Sequence, residues 1–302
     1  AGFGRHEIRQ VMEDCRVRLS KDKEKKEMWI FLDEVNTSPD IGWFKELICD
    51  HSLDGVKISD QIKIIAACNP YRPRKIQNSE VMNLSDPSSK WVYRVVPLCD
   101  TMKEYVWPFG QLSALDEKQY IRAMTKQIKD KFDNNTVIYK KIQQWELKII
   151  EDIDASQSFL RKHLANEFIV SLRDVSRCLN FFYWLMQQYE TVLENDNKSP
   201  WTGRALNIAL GLCYYFRLDD NGRKMYNDIM SQRNKRSFSE LLDSEIKNLS
   251  ESFVIPPQVA LHNTLKENLF ILFFCVIMLD TLSHRNTKQF HQKLKDNKFH
   301  FN

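Results

Sequence analysis

The order of apolar and polar residues changes character along the chain. Residues 5 to 27 are charged, with Ile8, Val11, Met12, Val17 and Leu19 giving a weak apolar face, which predicts a surface helix followed by a basic loop. MWIFLDEV then runs apolar into two acids, the pattern of a central parallel strand buried on both faces. Ile41, Phe44, Leu47 and Ile48 have helical spacing across 41–51, and LDGVKIS predicts a turn or short hairpin. QIKIIAACNP predicts a second buried strand stopped at Pro70. Strand, helix, strand at this spacing is the βαβ signature of a parallel sheet. Residues 71–90 form a polar loop with two prolines, and WVYRVVPL predicts a third short strand.

From Asp116 the periodicity turns helical almost throughout, over 116–131, 137–164, 171–194, 202–216 and 220–232. This shift predicts a domain boundary near 110–115, after the WPFG turn, and IPP at 255–257 predicts a stop between two later helices. Leu269 to Leu279, LFILFFCVIML, is wholly apolar but only 11 residues long. A span needs about 20 residues, so a buried core helix is preferred over an anchor and no transmembrane span is expected.

Composition narrows the class. With 43% hydrophobic and 12% aromatic residues the chain carries enough apolar surface for real cores. The 44 basic and 40 acidic residues leave a net charge of +4, and the basic residues are dispersed, so no nucleic-acid partner is expected. The seven cysteines include no CxxC pair, which predicts reduced thiols in a cytosolic or nuclear compartment. AGFGRHEIRQ lacks an initiator Met and a signal-like apolar region, so it is expected to be an internal start.

The candidate chemistry sits at strand tips. In ATPases with a phosphate loop, a strand ending in Asp-Glu uses the Asp to hold the magnesium shell and the Glu to polarise the attacking water. Asp33 and Glu34 occupy those positions here, against the alternative of a solvated strand end. Asn69 ends the second strand, where a sensor of the γ-phosphate and water would sit, and it also suits a turn before Pro70.

DEVNTS, LICDHSLDG, AACNPYRPR, VYRVVPL, VSLRDVSRCLNFFYW and ALNIALGLCYYFRL together resemble the dynein-like motor of the mysterin-type giant AAA+ and RING-type ubiquitin ligases. The resemblance runs from about residue 1 to 279 and implies an α/β fold, a partial AAA+ parallel sheet with a C-terminal all-α lid domain. It implies that Asp33 and Glu34 form the Walker B pair, with Asp33 reaching Mg2+ through water, that Asn69 is sensor 1, and that ATP is the nucleotide. It divides the chain into 1–114, the C-terminal part of the large α/β subdomain; 115–250, the helical lid; and 251–302, a linker and the start of the next AAA unit. By order this is the third of six units. Implied partners are neighbouring AAA units of the same chain and, through modules elsewhere, ubiquitin and a ubiquitin-conjugating enzyme. Implied locations are the cytoplasm and lipid droplets.

Arg173 and Arg177 share a helical face, and either is a candidate to reach a phosphate as sensor 2, unless they are ordinary surface arginines near Asp174. The resemblance favours Arg173. Arg72, Arg74 and Arg94 are weaker candidates for a finger toward a neighbouring nucleotide.

The chain departs from the family at both ends. None of its eight glycines is followed by lysine, so GxxxxGK[ST], the phosphate loop, is not among these residues and is expected upstream of residue 1. The tail after LFFCVIML is polar and basic where the family continues into a strand and a further phosphate loop. It is expected to be disordered, and His284, His291 and His300 are too irregular for a metal site. The parent is accordingly expected to hydrolyse ATP and transfer ubiquitin while the 302 residues alone are inactive. The alternative is a non-catalytic AAA-like scaffold.

Overall fold

The computed structural model describes residues 4–21, 27–38, 40–69, 95–110, 112–164, 170–187, 201–234, 236–251, 253–254, 258–282 and 299–300. The chain divides into two compact units, Ala1–Gly110 and Gln111–Asn302.

In the first unit, helix α1 (Arg5–Lys21) precedes strand β1 (Met28–Leu32), a 3-10 turn (Val35–Thr37) and helix α2 (Ile41–Cys49). A hairpin of β2 (Ser52–Leu53) and β3 (Val56–Lys57) follows, then strand β4 (Ile62–Ala66) and the short helix α3 (Asp100–Lys103). Strands β1 and β4 pair in parallel from Met28↔Ile62 to Leu32↔Ala66, as the βαβ pattern requires. One helical face, Ile41, Phe44 and Leu47 of α2, closes the core with Ile8 and Met12 of α1 and Ile62 of β4. The buried positions of α1 are Ile8, Met12 and Cys15, spaced four and three apart, whereas Val17, expected on that face, is exposed.

The structure corrects three expectations in this unit. Strand β1 is not buried on both faces: Trp29 and Phe31 are each 63% exposed and Ile65 of β4 is 49% exposed, so one face of this two-stranded sheet is open. A run of apolar residues cannot by itself tell a strand covered twice from one covered once. The second strand ends at Ala66, not at Asn69. Val95–Leu98 of the expected third strand are irregular, and Trp91–Arg94 lie outside the described residues, as do 70–90.

The hairpin is set locally. Asp54 (φ 53°) and Gly55 (φ 76°) both lie in the left-handed region, which makes the two-residue type I′ turn that matches strand twist. Arg9 and Arg5 of α1 both reach the Asp54 carboxylate, so the turn is tied to the first helix.

The second unit is helical: α4 (Ala114–Lys129), α5 (Val137–His163), α6 (Leu172–Gln187), α7 (Trp201–Cys213), α8 (Asp220–Asn234), α9 (Phe238–Ser250) and α10 (Asn263–Leu282), with a 3-10 turn at Tyr215–Arg217. Several starts are written in the sequence as Ser or Thr caps. Ser113 accepts from Asp116 N at 3.1 Å, Thr136 from Tyr139 N at 3.2 Å and Ser237 from Glu240 N at 3.3 Å. Helices α7 and α9 approach closely at Gly211, where an added Cβ would lie 2.9 Å from Leu242 Cδ1. Across the same pair of helices, Arg204 grips Glu245 with Nε–Oε1 at 2.6 Å and Nη2–Oε2 at 2.8 Å.

Helix α10 buries Phe270, Phe273 and Phe274 but exposes Leu272 and Val276, so the apolar run is a one-sided helix, not a fully buried one. Among the described residues no helix is long and apolar enough to cross a membrane. The tail is not wholly irregular, since α10 extends to Leu282 and Phe299–His300 pair in parallel with Phe253–Val254. Residues 283–298, including His284 and His291, lie outside the described residues. All seven cysteines are free.

Two outcomes follow for stability. Arg204 and Glu245 have side chains only 8% and 12% exposed, so Arg204→Ala leaves a buried carboxylate unpaired. It is expected to cost about 3–5 kcal/mol, while Arg204→Met with Glu245→Leu costs much less, as read from urea unfolding midpoints. The Asp54 carboxyl is held down at about 2 by Arg9 and then Arg5, below its ordinary 3.8. Because the folded value is the lower one, the tie stabilises above pH about 4 and is lost as pH falls toward about 2. Asp54→Asn should therefore melt below the parent at pH 7, with the gap closing across that window.

Candidate functional site

Parallel pairing decides where the candidate residues meet. Because Leu32 lies opposite Ala66, both strands release their chains at the same carboxyl edge, the edge at which open α/β sheets bind ligands. Asp33 and Glu34 leave β1 in a turn and are both exposed. Glu34 takes φ 54° and ψ 38°, a left-handed conformation uncommon for a residue with a side chain. Thr37 fastens it, donating to the Glu34 carbonyl from its amide at 2.9 Å and from its hydroxyl at 2.8 Å.

The ladder does not stop where the strands do. Ala67 N donates to Leu32 O at 2.8 Å, and Val35 N donates to Ala67 O at 2.9 Å. Beyond them the buried Asn36 takes over with its side chain: Nδ2 donates to Asn69 O at 2.8 Å and Oδ1 accepts from Asn69 N at 2.9 Å. Asn36 O also accepts from Val96 N at 2.7 Å, which brings the returning chain to the same point. Asp33, Glu34 and Asn69 thus gather at one edge, with half-buried Asn69 held by its backbone. Sequence reasoning missed Asn36. Its one signal was an amide directly after the acids and Val35, at a place where the core begins again.

The arginines separate. At the start of α6, the Ser171 amide donates to Asp174 Oδ2 at 2.8 Å, and Arg173 N donates back to Ser171 Oγ at 3.2 Å, which fixes the first turn. Asp174 Oδ1 then accepts from Arg177 at 3.2 Å and Arg217 at 3.1 Å. Both Arg173 and Arg177 are exposed on this helix, and Arg177 contacts that carboxylate. Both belong to the second unit. Arg72, Arg74 and Arg94 lie outside the described residues. Among the described residues no group of three or more His, Cys, Asp or Glu side chains is placed to hold a metal ion directly. A magnesium ion held through water needs only one or two carboxylates, and the exposed pair at this edge supplies the hard oxygen donors it takes.

Comparison with known proteins agrees with this architecture. A family model described as the RNF213 AAA domain matches residues 6–72, which contain Asp33, Glu34, Asn36 and Asn69. The E3 ubiquitin-protein ligase RNF213 of Homo sapiens is 30% identical over 298 residues, covering 85% of this chain and 6% of the relative. The Mus musculus RNF213 is 28% identical over 307 residues, covering 88% and 6%, and the Danio rerio rnf213-beta ligase is 29% identical over 293 residues, covering 85% and 6%. The chain therefore spans about 6% of the length of the relatives it matches. With the βαβ core, the acids at its carboxyl edge and similarity extending through the helical unit, the chain carries a mysterin-type AAA+ region.

Proposed function

We propose that this chain is part of an ATP-hydrolysing AAA+ unit in a giant ubiquitin ligase, contributing the Walker B acids, sensor 1 and the helical lid. The observation that carries the reading is the common carboxyl edge of β1 and β4, with Asp33 and Glu34 on one tip and Asn69 on the other. Residues 1–114 belong to the large subdomain, 115–250 to the lid, and 251–302 lead toward the next unit, the whole being the third unit by order. The parent protein's transfer of ubiquitin resides in modules outside these residues, as do its contacts with a ubiquitin-conjugating enzyme. Its location is the cytoplasm and lipid-droplet surfaces.

Each residue has a chemical task. Bound Mg2+ supplies charge neutralisation on the β- and γ-phosphate oxygens. Asp33 orients the water shell of that ion through its carboxylate. Glu34 accepts the proton of the attacking water, and exposure at the tip leaves its carboxylate open to solvent and ligand. Asn69 fixes the same water by its amide. Arg173 serves as sensor 2, since Arg177 is already bound to Asp174 and a bidentate guanidinium suits phosphate. The phosphate cradle is supplied from outside these 302 residues, none of whose glycines is followed by lysine. The competing reading, a scaffold without turnover, draws on the lack of GK[ST] within the 302 residues.

In a longer protein that carries a phosphate loop ahead of residue 1, Glu34→Gln should keep nucleotide affinity and slow single-turnover ATP hydrolysis about 10²–10⁴-fold. Unchanged hydrolysis would sink the base assignment, and no hydrolysis by the unmodified longer protein would favour the scaffold. The 302-residue chain by itself is expected to bind magnesium-ATP no tighter than the millimolar range, about −4 kcal/mol. Micromolar affinity by calorimetry would contradict this.

A further inference from the structure

We infer that Asn36 is a positioning residue for Asn69, holding the tip of β4 so that the Asn69 side chain stands beside the Asp33–Glu34 turn. This rests on the nucleotide reading given above. Backbone pairing alone cannot perform the task. After Leu32 the chain turns away through the left-handed Glu34 into a 3-10 turn, so its peptide groups run out of register with β4. The last backbone rungs are Ala67 N to Leu32 O and Val35 N to Ala67 O. Asn69 would then begin a free loop, and a residue that must locate one water molecule cannot be left on a loose end.

The Asn36 side chain supplies the missing rung. A primary amide presents the same donor and acceptor as a peptide group, and here it meets both the N–H and the C=O of Asn69, at 2.9 and 2.8 Å. Two bonds to one residue fix its orientation as well as its distance. The amide is fully buried, so water does not compete for either bond. Its backbone is pinned separately by Val96 N at 2.7 Å, and Val35 beside it is anchored in the core. The clamp is therefore itself held on a fixed element. Chemistry makes the residue hard to replace: Asp has no donor for the Asn69 carbonyl, and Gln places the amide one methylene too far out.

The test has two arms. In the 302-residue chain, Asn36→Ala and Asn36→Leu, which both remove the acceptor for the Asn69 amide, should each speed amide hydrogen exchange at Asn69 by at least about tenfold, with Ala67 changed far less. In the longer protein, Asn36→Ala should slow single-turnover hydrolysis up to about 100-fold, with nucleotide affinity changed less than about threefold. Adding it to Asn69→Ala should cause no further loss, because it acts only through Asn69. Asn36→Leu, which nearly keeps the volume and removes both polar atoms, covers the case in which the alanine variant does not fold. Equal exchange rates at Asn69, additive losses in the double variant, or a loss confined to affinity would each overturn the role. If Asn69→Ala slows turnover and Asn36→Ala does not, this role alone fails. If Glu34→Gln and Asn69→Ala both leave turnover intact, the nucleotide reading fails and the role goes with it.

Discussion

Parallel hydrogen bonding between β1 and β4 is the constraint on which the first unit depends. It sets Leu32 opposite Ala66, and from that one register the acids and Asn69 emerge together. A slip of one residue would turn every side chain of the strand to the other face, moving Ile30 and Ile62 off the core contributed by α1 and α2. Burial of Ile62 on one side of the sheet therefore fixes the geometry of the tip on its edge. The ladder is then prolonged, first by backbone groups of Val35 and Ala67 and finally by an amide side chain. Such a tip tolerates the left-handed Glu34 because Thr37 and the buried Val35 over-determine the turn.

The second unit is governed by a different balance. Its helices are amphipathic and their apolar faces merge into one core, in which Tyr226, Phe238 and Phe182 are fully buried. Bidentate ion pairs, Arg161 with Glu117 and Arg204 with Glu245, lie across helix interfaces and are mostly shielded from water. Pairs of this kind add little net stability when intact and much instability when halved. They fix which helix faces meet, and this governs the arginines of α6 too. Asp174 caps the helix and also accepts from Arg177 and Arg217, so one carboxylate serves both the cap and two arginines.

Local signals were legible where local chemistry decides. The Asp54–Gly55 turn, the Ser and Thr caps, the 41–49 helix and the helices of the second unit follow from turn residues and periodicity within a few positions. The place of the acids just after a strand was legible for the same reason, since an apolar run that ends in polar groups marks its own end, whereas Asn69 lies three residues beyond the end of β4 at Ala66. Val95–Leu98, the described half of the strand expected at 91–98, is irregular, because β-branched residues favour a strand only in a suitable packing context.

What the sequence by itself determined is thus the two paired strands, the long helices, their order and the acids that follow the first strand. Only the tertiary structure decided that Trp29 and Phe31 face outward, that α10 is buried on one side, and that Arg177 rather than Arg173 is bound to Asp174. It alone turned Asn36 from a polar residue in a loop into the buried link between two strand tips. Periodicity records how a residue sits in its own element, whereas burial and pairing depend on partners tens of residues away, and no local pattern names those partners.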